Sequence, residues 1–367
     1  MAVRLRRWLS VPHMRRCGAG LSVLIALAAL LELAAGAGLA YVAGFSRVRS
    51  VLGDVQWVWL VVLVGALVVS VTGYYFAYRG IFRVEEGPEV PARQMRAVVA
   101  AGFGGLFAHG RGALDQYVLE AAGAGTREAR ARATGLAGLE QGVLAIGGCG
   151  AAIAVLASGF ARPPGDVTIP WVVLPVPGFL IAFWAAERYR DRFSLRVGWR
   201  AALGTFLDSL HLIRELFVRP RRWGLALLGM ALFWAAECFA VWAALAAFGV
   251  RMNAATLIVG FGTGMLFTRR VGPLGGAGIL ALALPPALWS SGVPLAAAVA
   301  GVFAYRALSL WLPMPVALAV LPTLRAMSEH QIGPGPSGTQ QQPSRGSGTR
   351  NRELVSSQGL PPDAAIR

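Results

Sequence analysis

Lysine is absent from the 367-residue sequence, so arginine supplies all 34 of its lysine-plus-arginine side chains. A nucleotide-binding P-loop needs a lysine that reaches the phosphates, and its absence argues against a protein that is itself an ATP-driven pump. Acidic residues are also scarce, because 18 aspartates and glutamates leave a formal net charge of +16. Charged residues make up 14% of the chain, whereas a soluble domain carries about 25%.

Cysteine and histidine are too few and too scattered to indicate a disulfide framework or a metal site. The three cysteines form no CxxC pair, and the four histidines lack metal-ligand spacing. We therefore expect no metal and no cofactor. The residues concerned are Cys17, Cys149, Cys238, His13, His109, His211 and His330.

Apolar residues dominate what remains, at 56% of the chain with a mean hydropathy of +0.58. This composition predicts an all-α, polytopic protein of the cell (cytoplasmic) membrane. Nucleic acid is the other common partner of a strongly basic chain. We exclude it because the arginines cluster at the ends of apolar segments, where they set membrane topology.

Six apolar runs are long enough to cross a bilayer as helices. They cover residues 21–45, 57–78, 136–157, 169–186, 224–249 and 295–321. The positive-inside rule places both termini and the arginine-rich loop 188–222 in the cytoplasm. Five aromatic residues of the second run are interpreted as interfacial anchors: Trp57, Trp59, Tyr74, Tyr75 and Tyr78.

Two further apolar stretches, residues 97–122 and 254–288, are interrupted by glycine and proline. Broken helix at membrane depth is tolerated where it lines a cavity. We interpret both stretches as re-entrant hairpins that enter from opposite sides, an arrangement typical of inverted repeats with a site where they meet.

The chain divides into a basic cytoplasmic arm (residues 1–20), a transmembrane domain (21–325) and a polar cytoplasmic tail (326–367) expected to be disordered. Within loop 188–222, apolar residues recur at helical spacing over residues 203–217. This pattern indicates an amphipathic helix on the anionic leaflet, or a topology determinant and nothing more.

Arg269 and Arg270 lie side by side in the second broken stretch. A charge in hydrocarbon is costly and is functional by default. Because arginine offers bidentate donors to phosphate, we predict a phosphate clamp, with an interfacial position as the alternative. The neighbouring glycine-rich turn is formed by Gly272, Pro273, Gly275, Gly276 and Gly278.

The first broken stretch carries a weaker candidate group, His109, Arg111 and Asp115. These residues are interpreted as ligands of the same phosphate. Arg111 and Asp115 are four residues apart, so a simple pairing of the two on one helix is the alternative.

Tyr305 and Arg306 lie about ten residues inside the last apolar run, near mid-depth at roughly 1.5 Å per residue. We predict that they either complete the clamp or, in the case of Arg306, neutralise a buried carboxylate. The candidate carboxylates are Glu32, Glu140 and Glu237.

Three motifs of the C-terminal region resemble the lysylphosphatidylglycerol synthase transmembrane region, a flippase-like family of bacterial and archaeal membrane proteins. They are the turn Gly272-Pro-Leu-Gly-Gly-Ala-Gly278, the step Ser291-Gly-Val-Pro-Leu-Ala296, and the helix Ala304-Tyr305-Arg306-Ala-Leu-Ser-Leu-Trp311-Leu-Pro313. A weaker match begins at Gly110-Arg111-Gly112. Family members often carry a glutamate shortly after the glycine turn, where this chain has Ala281.

The resemblance implies a module that binds or translocates lipid without synthase activity, since residues after 325 are too few for the family's soluble transferase domain. We expect a non-enzymatic protein that moves an anionic phospholipid or a polyprenyl-phosphate-linked lipid. Two alternatives stay open. One is a non-transporting partner of a glycosyltransferase or lipid-modifying enzyme, and the other is an intramembrane lipid transferase.

Overall fold

A computed structural model describes residues 11–104, 112–159, 163–193, 199–266 and 276–331. Within these ranges the chain is helical and contains no β-strand, which confirms the all-α prediction. The predicted tail beyond residue 331 and the first ten residues of the predicted arm lie outside the described ranges.

The described residues of the first half of the chain form six helices. They are α1 (Val11–Ala43), α2 (Phe45–Gly53), α3 (Trp57–Arg83), α4 (Ala92–Gly104), α5 (Gly112–Ala121) and α6 (Thr126–Ala157). A short 3₁₀ turn, Val84–Glu86, follows α3.

The second half supplies eight in its described residues. They are α7 (Gly165–Val173), α8 (Pro175–Tyr189), α9 (Trp199–Val218), α10 (Pro220–Ala246), α11 (Ala254–Met265), α12 (Ile279–Ser290), α13 (Leu295–Arg306) and α14 (Met314–Gln331). A 3₁₀ turn, Asp191–Phe193, follows α8, and a π-helical turn, Ala307–Trp311, joins α13 to α14.

Six described segments are long and apolar enough to cross a membrane, which confirms the predicted spans. They are Val23–Ala43, Trp57–Glu86, Thr126–Ala157, Gly165–Tyr189, Pro220–Ala246 and Leu295–Val320. The boundaries differ at both ends. Helix α1 begins at Val11 and so includes the second half of the predicted arm, and α14 continues to Gln331, into the part of the chain predicted as a disordered tail from residue 326. The protein is accordingly a multi-pass, α-helical membrane protein.

The two broken stretches form pairs of short helices, α4 with α5 and α11 with α12. The longest of the four, α4, has 13 residues, about 20 Å at 1.5 Å per residue. The hydrocarbon core of a bilayer is about 30 Å thick, so none of the four crosses it alone. Their description as re-entrant hairpins, and the inverted repeat, stay predictions.

Helices α3 and α10 form the most extensive packing contact in the described structure and run antiparallel. Gly73 and Gly229 face each other: a Cβ on Gly73 would lie 2.7 Å from the carbonyl oxygen of Gly229. Small residues that allow such close backbone approach are the usual basis of helix packing in membranes. This contact buries the face of α3 that carries Ser70 and Tyr74.

Two of the five predicted interfacial anchors are wrong. Tyr74 is 1% exposed and Tyr78 is fully buried, whereas Trp57 is 73% exposed. Both tyrosines lie on the α3 face that packs inside the bundle, where the ring of Tyr74 is 5.1 Å from that of Phe233 on α10. They belong to the core rather than to the lipid boundary.

The helix predicted within loop 188–222 is α9, and its apolar face packs mainly against α6 and α8. Leu207, Leu210 and Ile213 are buried, while Phe206 remains 49% exposed. The apolar periodicity of this helix therefore reflects contact with the protein rather than with a leaflet.

Candidate functional site

A buried ion pair joins the first and last spans. The Nε of Arg306 donates to Oε1 of Glu32 at 2.7 Å, and Nη2 lies 2.5 Å from the same oxygen. This second contact is ionic, since its geometry is not that of a hydrogen bond. Both side chains are 6% exposed, and each residue lies near the midpoint of its span. The pair therefore places full charges near the middle of the membrane-spanning bundle.

The π-helical turn after α13 directs a second donor to the same carboxylate. Residues five apart on an α-helix point about 140° away from each other at 100° per residue. The i→i+5 bonding of a π-turn aligns them instead, and Leu312 N donates to Ala307 O at 3.0 Å in this pattern. Trp311 lies five residues after Arg306, and its Nε1 donates to Oε2 of Glu32 at 2.7 Å. Both carboxylate oxygens of Glu32 therefore accept hydrogen bonds from the segment that runs from Arg306 to Trp311.

A second buried carboxylate lies beside this pair. Glu237 on α10 is fully buried, and Ser70 Oγ donates to its Oε1 at 2.5 Å. The Tyr305 hydroxyl donates to its Oε2. Tyr305 and Arg306 are adjacent on α13, so consecutive residues of one helix bind carboxylates of two different helices.

A third carboxylate continues the polar face of α3. Ser70, Tyr74 and Tyr78 are spaced four residues apart, which puts them on one face of the helix. The Tyr78 hydroxyl donates to Oδ1 of Asp115 at 2.8 Å, and Asp115 is fully buried. We call the five residues Ser70, Tyr74, Tyr78, Asp115 and Glu237 the polar ladder.

The described ends of both broken stretches pack close to the ion pair. A Cβ on Gly104, the last residue of α4, would lie 2.5 Å from the backbone of Pro313. A Cβ on Gly278, directly before α12, would lie 3.0 Å from Cβ of Leu31. Leu31 precedes Glu32, and Pro313 lies two residues after Trp311. The two broken stretches therefore approach the same buried charges.

The conformation of the glycine-rich turn explains two of its predicted residues. Gly276 and Gly278 have φ values of 74° and 79°, in the left-handed region that side chains other than glycine rarely adopt. At Gly278 an added Cβ would also crowd α1, because it would lie 3.0 Å from Cβ of Leu31. These glycines shape the turn that leads into α12.

Of the predicted ligands, the structure brings together Tyr305 and Arg306, and it places Asp115 at the far end of the polar ladder. Of the three candidate partners of Arg306, Glu32 forms the ion pair. Glu237 binds Ser70 and Tyr305 instead, and the backbone carbonyl of Glu140 accepts from Trp234 Nε1 at 2.7 Å. Predicted residues outside the described ranges are His109, Arg111, Arg269, Arg270, Gly272, Pro273 and Gly275.

Four residues of the site were predicted neither as ligands nor as carboxylate partners: Ser70, Tyr74, Tyr78 and Trp311. Ser70 is the midpoint of α3. The sequence therefore contained one signal for it: a polar residue in one span at a depth similar to that of Glu237 in another. No comparable signal marks Trp311, because its orientation depends on the π-turn.

Titratable side chains in the described ranges do not gather into a metal site. No group of three or more His, Cys, Asp or Glu residues there is placed to hold an ion. The buried groups offer other chemistry, because the guanidinium of Arg306 can bind an anion.

Comparison with known proteins adds no relative to this description: no protein-family model matches the chain, and no curated protein matches it either.

Proposed function

We propose that the protein binds an anionic lipid headgroup at the level of Arg306 and translocates it across the cell membrane. The observation that carries this proposal is the Glu32–Arg306 ion pair, which is buried near mid-span where the described ends of both broken stretches pack. An intramembrane charge is expensive, and two well-packed apolar residues would hold α1 and α13 together at lower cost. We therefore attribute the Glu32–Arg306 ion pair to ligand binding rather than to the stability of the contact between α1 and α13.

A lipid phosphate is the ligand that best fits the pair. Arginine remains charged at any physiological pH and binds phosphate through a planar fork of donors. Glu32 is the counter-ion of Arg306. When a headgroup phosphate arrives, it takes over donors of the guanidinium, and Glu32 retains the indole N–H of Trp311.

The N-terminus of α12 supports anion binding at the same place. The first N–H groups of a helix lack intrahelical acceptors and carry a partial positive charge. Gly278 seats the start of this 12-residue helix against Leu31, next to Glu32. Helix N-termini of this kind commonly bind phosphate.

The sequence supplies further cations for the clamp, namely Arg269, Arg270 and Arg111. The resemblance to the flippase-like family supports the same function, and the positive-inside rule supports cytoplasmic termini. In this proposal the acyl chains stay in lipid while the headgroup passes between the two broken stretches, one half of the protein rocking against the other.

Reconstitution into liposomes tests the proposal. Fluorescent lipids with anionic and zwitterionic headgroups are compared for binding and for movement between leaflets, in wild type and in Arg269→Leu, Arg270→Leu and Arg306→Lys variants. Lysine keeps the charge beside Glu32 but loses the fork.

A charge-assisted contact is worth about 1.5–3 kcal/mol, so Arg269→Leu and Arg270→Leu should each weaken anionic-lipid binding at least about tenfold. Arg306→Lys keeps the charge and loses only the fork, so it should weaken binding by a smaller, measurable factor. Arg49→Leu, an exposed arginine of α2, is the matched control and should behave like wild type. If all three variants match the control, the clamp is refuted. Binding without movement between leaflets would instead favour a non-transporting partner protein.

A further inference from the structure

The arginine of the Glu32–Arg306 ion pair has a hydrogen-bond donor that the pair does not use. Nε donates to Oε1 of Glu32 at 2.7 Å. Nη2 lies 2.5 Å from the same oxygen, but it is buried and makes no hydrogen bond to any described residue. A buried donor without an acceptor raises the free energy of the folded state, so a ligand that brings an acceptor to Arg306 satisfies a group that Glu32 leaves unsatisfied.

The carboxylate of Glu32 has unused capacity of the opposite kind. A carboxylate can accept up to about four hydrogen bonds. Among the described residues Glu32 accepts two, from Arg306 Nε on Oε1 and from Trp311 Nε1 on Oε2. The side chain is 6% exposed, so water has little access to the remaining acceptor positions. The pair therefore presents an unsatisfied donor and unfilled acceptor positions side by side.

A phosphate bound to Arg306 increases the need for donors at Glu32. The phosphate oxygens accept from the guanidinium in competition with Oε1, and they bring a second negative charge close to the carboxylate. Like charges repel strongly where the dielectric constant is low. An ionised phosphodiester is only an acceptor, so it cannot itself donate to Glu32. The rest of the headgroup is the part of the ligand that can supply donors there.

We infer that the ligand is a lipid whose headgroup carries O–H or N–H donors next to its phosphate. This inference rests on the function proposed above and narrows its substrate class. The phosphate oxygens accept from Arg306, and the neighbouring donors bind Glu32. Glycerol and sugar headgroups supply hydroxyls, and an ethanolamine headgroup supplies an ammonium. Glu32 is accordingly the residue that selects the headgroup.

A headgroup without donors is a poor ligand for the same reason. A buried site that hydrogen-bonds a hydroxyl or an amine discriminates against an analogue that lacks it, because the polar groups of the site are then left unpaired. A phosphodiester capped by a methyl group satisfies Arg306 and leaves the acceptor positions of Glu32 unfilled. The difference in affinity between two such lipids therefore measures the contribution of Glu32.

Lipid competition on the purified full-length protein in detergent micelles tests the inference. Four unlabelled lipids with identical acyl chains displace a phosphatidylglycerol that carries a fluorophore on its acyl chain. Phosphatidylglycerol and phosphatidylmethanol have the same charge, as do phosphatidylethanolamine and phosphatidylcholine, and only the first lipid of each pair has a headgroup donor. Wild type should bind the donor-bearing lipid of at least one pair about tenfold more tightly. The pair that shows the preference distinguishes hydroxyl from ammonium donors.

Glu32→Gln separates headgroup selection from phosphate binding. The change removes the charge that repels the phosphate, so phosphatidylmethanol should bind more tightly than it does to wild type, and the preference within each pair should disappear. A purely structural role of Glu32 would weaken the binding of all four lipids alike. Trp311→Phe keeps the test valid if Glu32→Gln fails to fold. It removes one donor from Glu32, so the preference for donor-bearing lipids should increase. Arg49→Leu should keep the wild-type ratios.

The outcomes distinguish this inference from the proposed function. If the labelled lipid binds and both lipids of each pair compete equally, headgroup selection is refuted and lipid binding stands. A preference that survives unchanged in Glu32→Gln also overturns the inference, because the donors would then bind elsewhere. If the labelled lipid shows no saturable binding, the proposed function itself is refuted.

Discussion

The ion pair between Glu32 and Arg306 predicts an unusual pattern of stabilities in a double-mutant cycle. We consider Glu32→Leu, Arg306→Leu and the double variant. Each single change leaves one full charge buried near mid-span, while the double change leaves two apolar side chains of similar bulk in contact. Arg49→Leu, at an exposed site of α2, controls for the loss of positive charge.

Removing one partner of a buried pair costs about 3–5 kcal/mol, whereas replacing both partners by apolar residues is often neutral or stabilising. The double variant still leaves the Trp311 N–H without its Glu32 acceptor, a cost of about 1–3 kcal/mol. We therefore expect each single variant to be less stable than the double variant by a few kcal/mol. The control should stay within about 0.5 kcal/mol of wild type.

Equilibrium unfolding in mixed detergent micelles, followed by tryptophan fluorescence, measures all four free energies. Single-variant effects below about 1 kcal/mol that add up in the double variant would refute the reasoning, because they would mean that the charges are solvated. A folded double variant is also the cleanest background for the lipid assay, since it lacks the guanidinium but keeps the helix contact.

Three further predictions concern packing, topology and the tail. Gly73→Ala should destabilise the protein by about 1–3 kcal/mol, because its Cβ would meet the backbone of α10. The control is Gly65→Ala on the same helix, where an added Cβ would meet no described atom of another helix within 4 Å. It should be neutral or stabilising by up to about 1 kcal/mol. Equal unfolding midpoints for Gly73→Ala and Gly65→Ala would argue against the close contact. In a cysteine-free background, Ser46→Cys and Arg221→Cys should label from opposite sides of the membrane, and labelling from one side would contradict the proposed topology. Deletion of residues 333–367 should leave insertion and monodispersity unchanged, because the segment is too polar to bury, and loss of folded protein in detergent would contradict this.

The membrane-spanning helices were predictable because span length and hydropathy are local properties of the chain. A run of about 20 apolar residues has one stable arrangement in a bilayer, and all six such runs appear as helices. Tyr74 and Tyr78 were assigned wrongly for a related reason. Aromatic residues near the end of a span are typical of the membrane interface. Whether such a residue faces lipid or the protein interior depends on the packing of α10 against α3, which is not a local property of the sequence.

The partner of Arg306 was not predictable, since three buried carboxylates were chemically equivalent candidates. Glu32 is 274 residues away in sequence, and only the antiparallel packing of α1 on α13 brings it close. Depth does not separate the candidates, because Glu140 and Glu237 also lie near the middle of their spans, as Glu32 does.

The π-turn at Ala307–Trp311 has a consequence for how this chain tolerates insertions and deletions. A π-turn contains one residue more than the α-helical turn it replaces, so deleting a residue such as Ser309 would restore regular α-helix without breaking the span. The tryptophan would then lie four residues after Arg306, about 40° away from it around the helix at 100° per residue, so it would still face Glu32. For the same reason α14 would keep the side that it presents to α4. A deletion within the regular helix α13 would instead rotate everything beyond it by about 100°. The π-turn is therefore a place where this span can lose a residue and keep the rotational phase between the half that carries Arg306 and the half that packs against the first broken stretch.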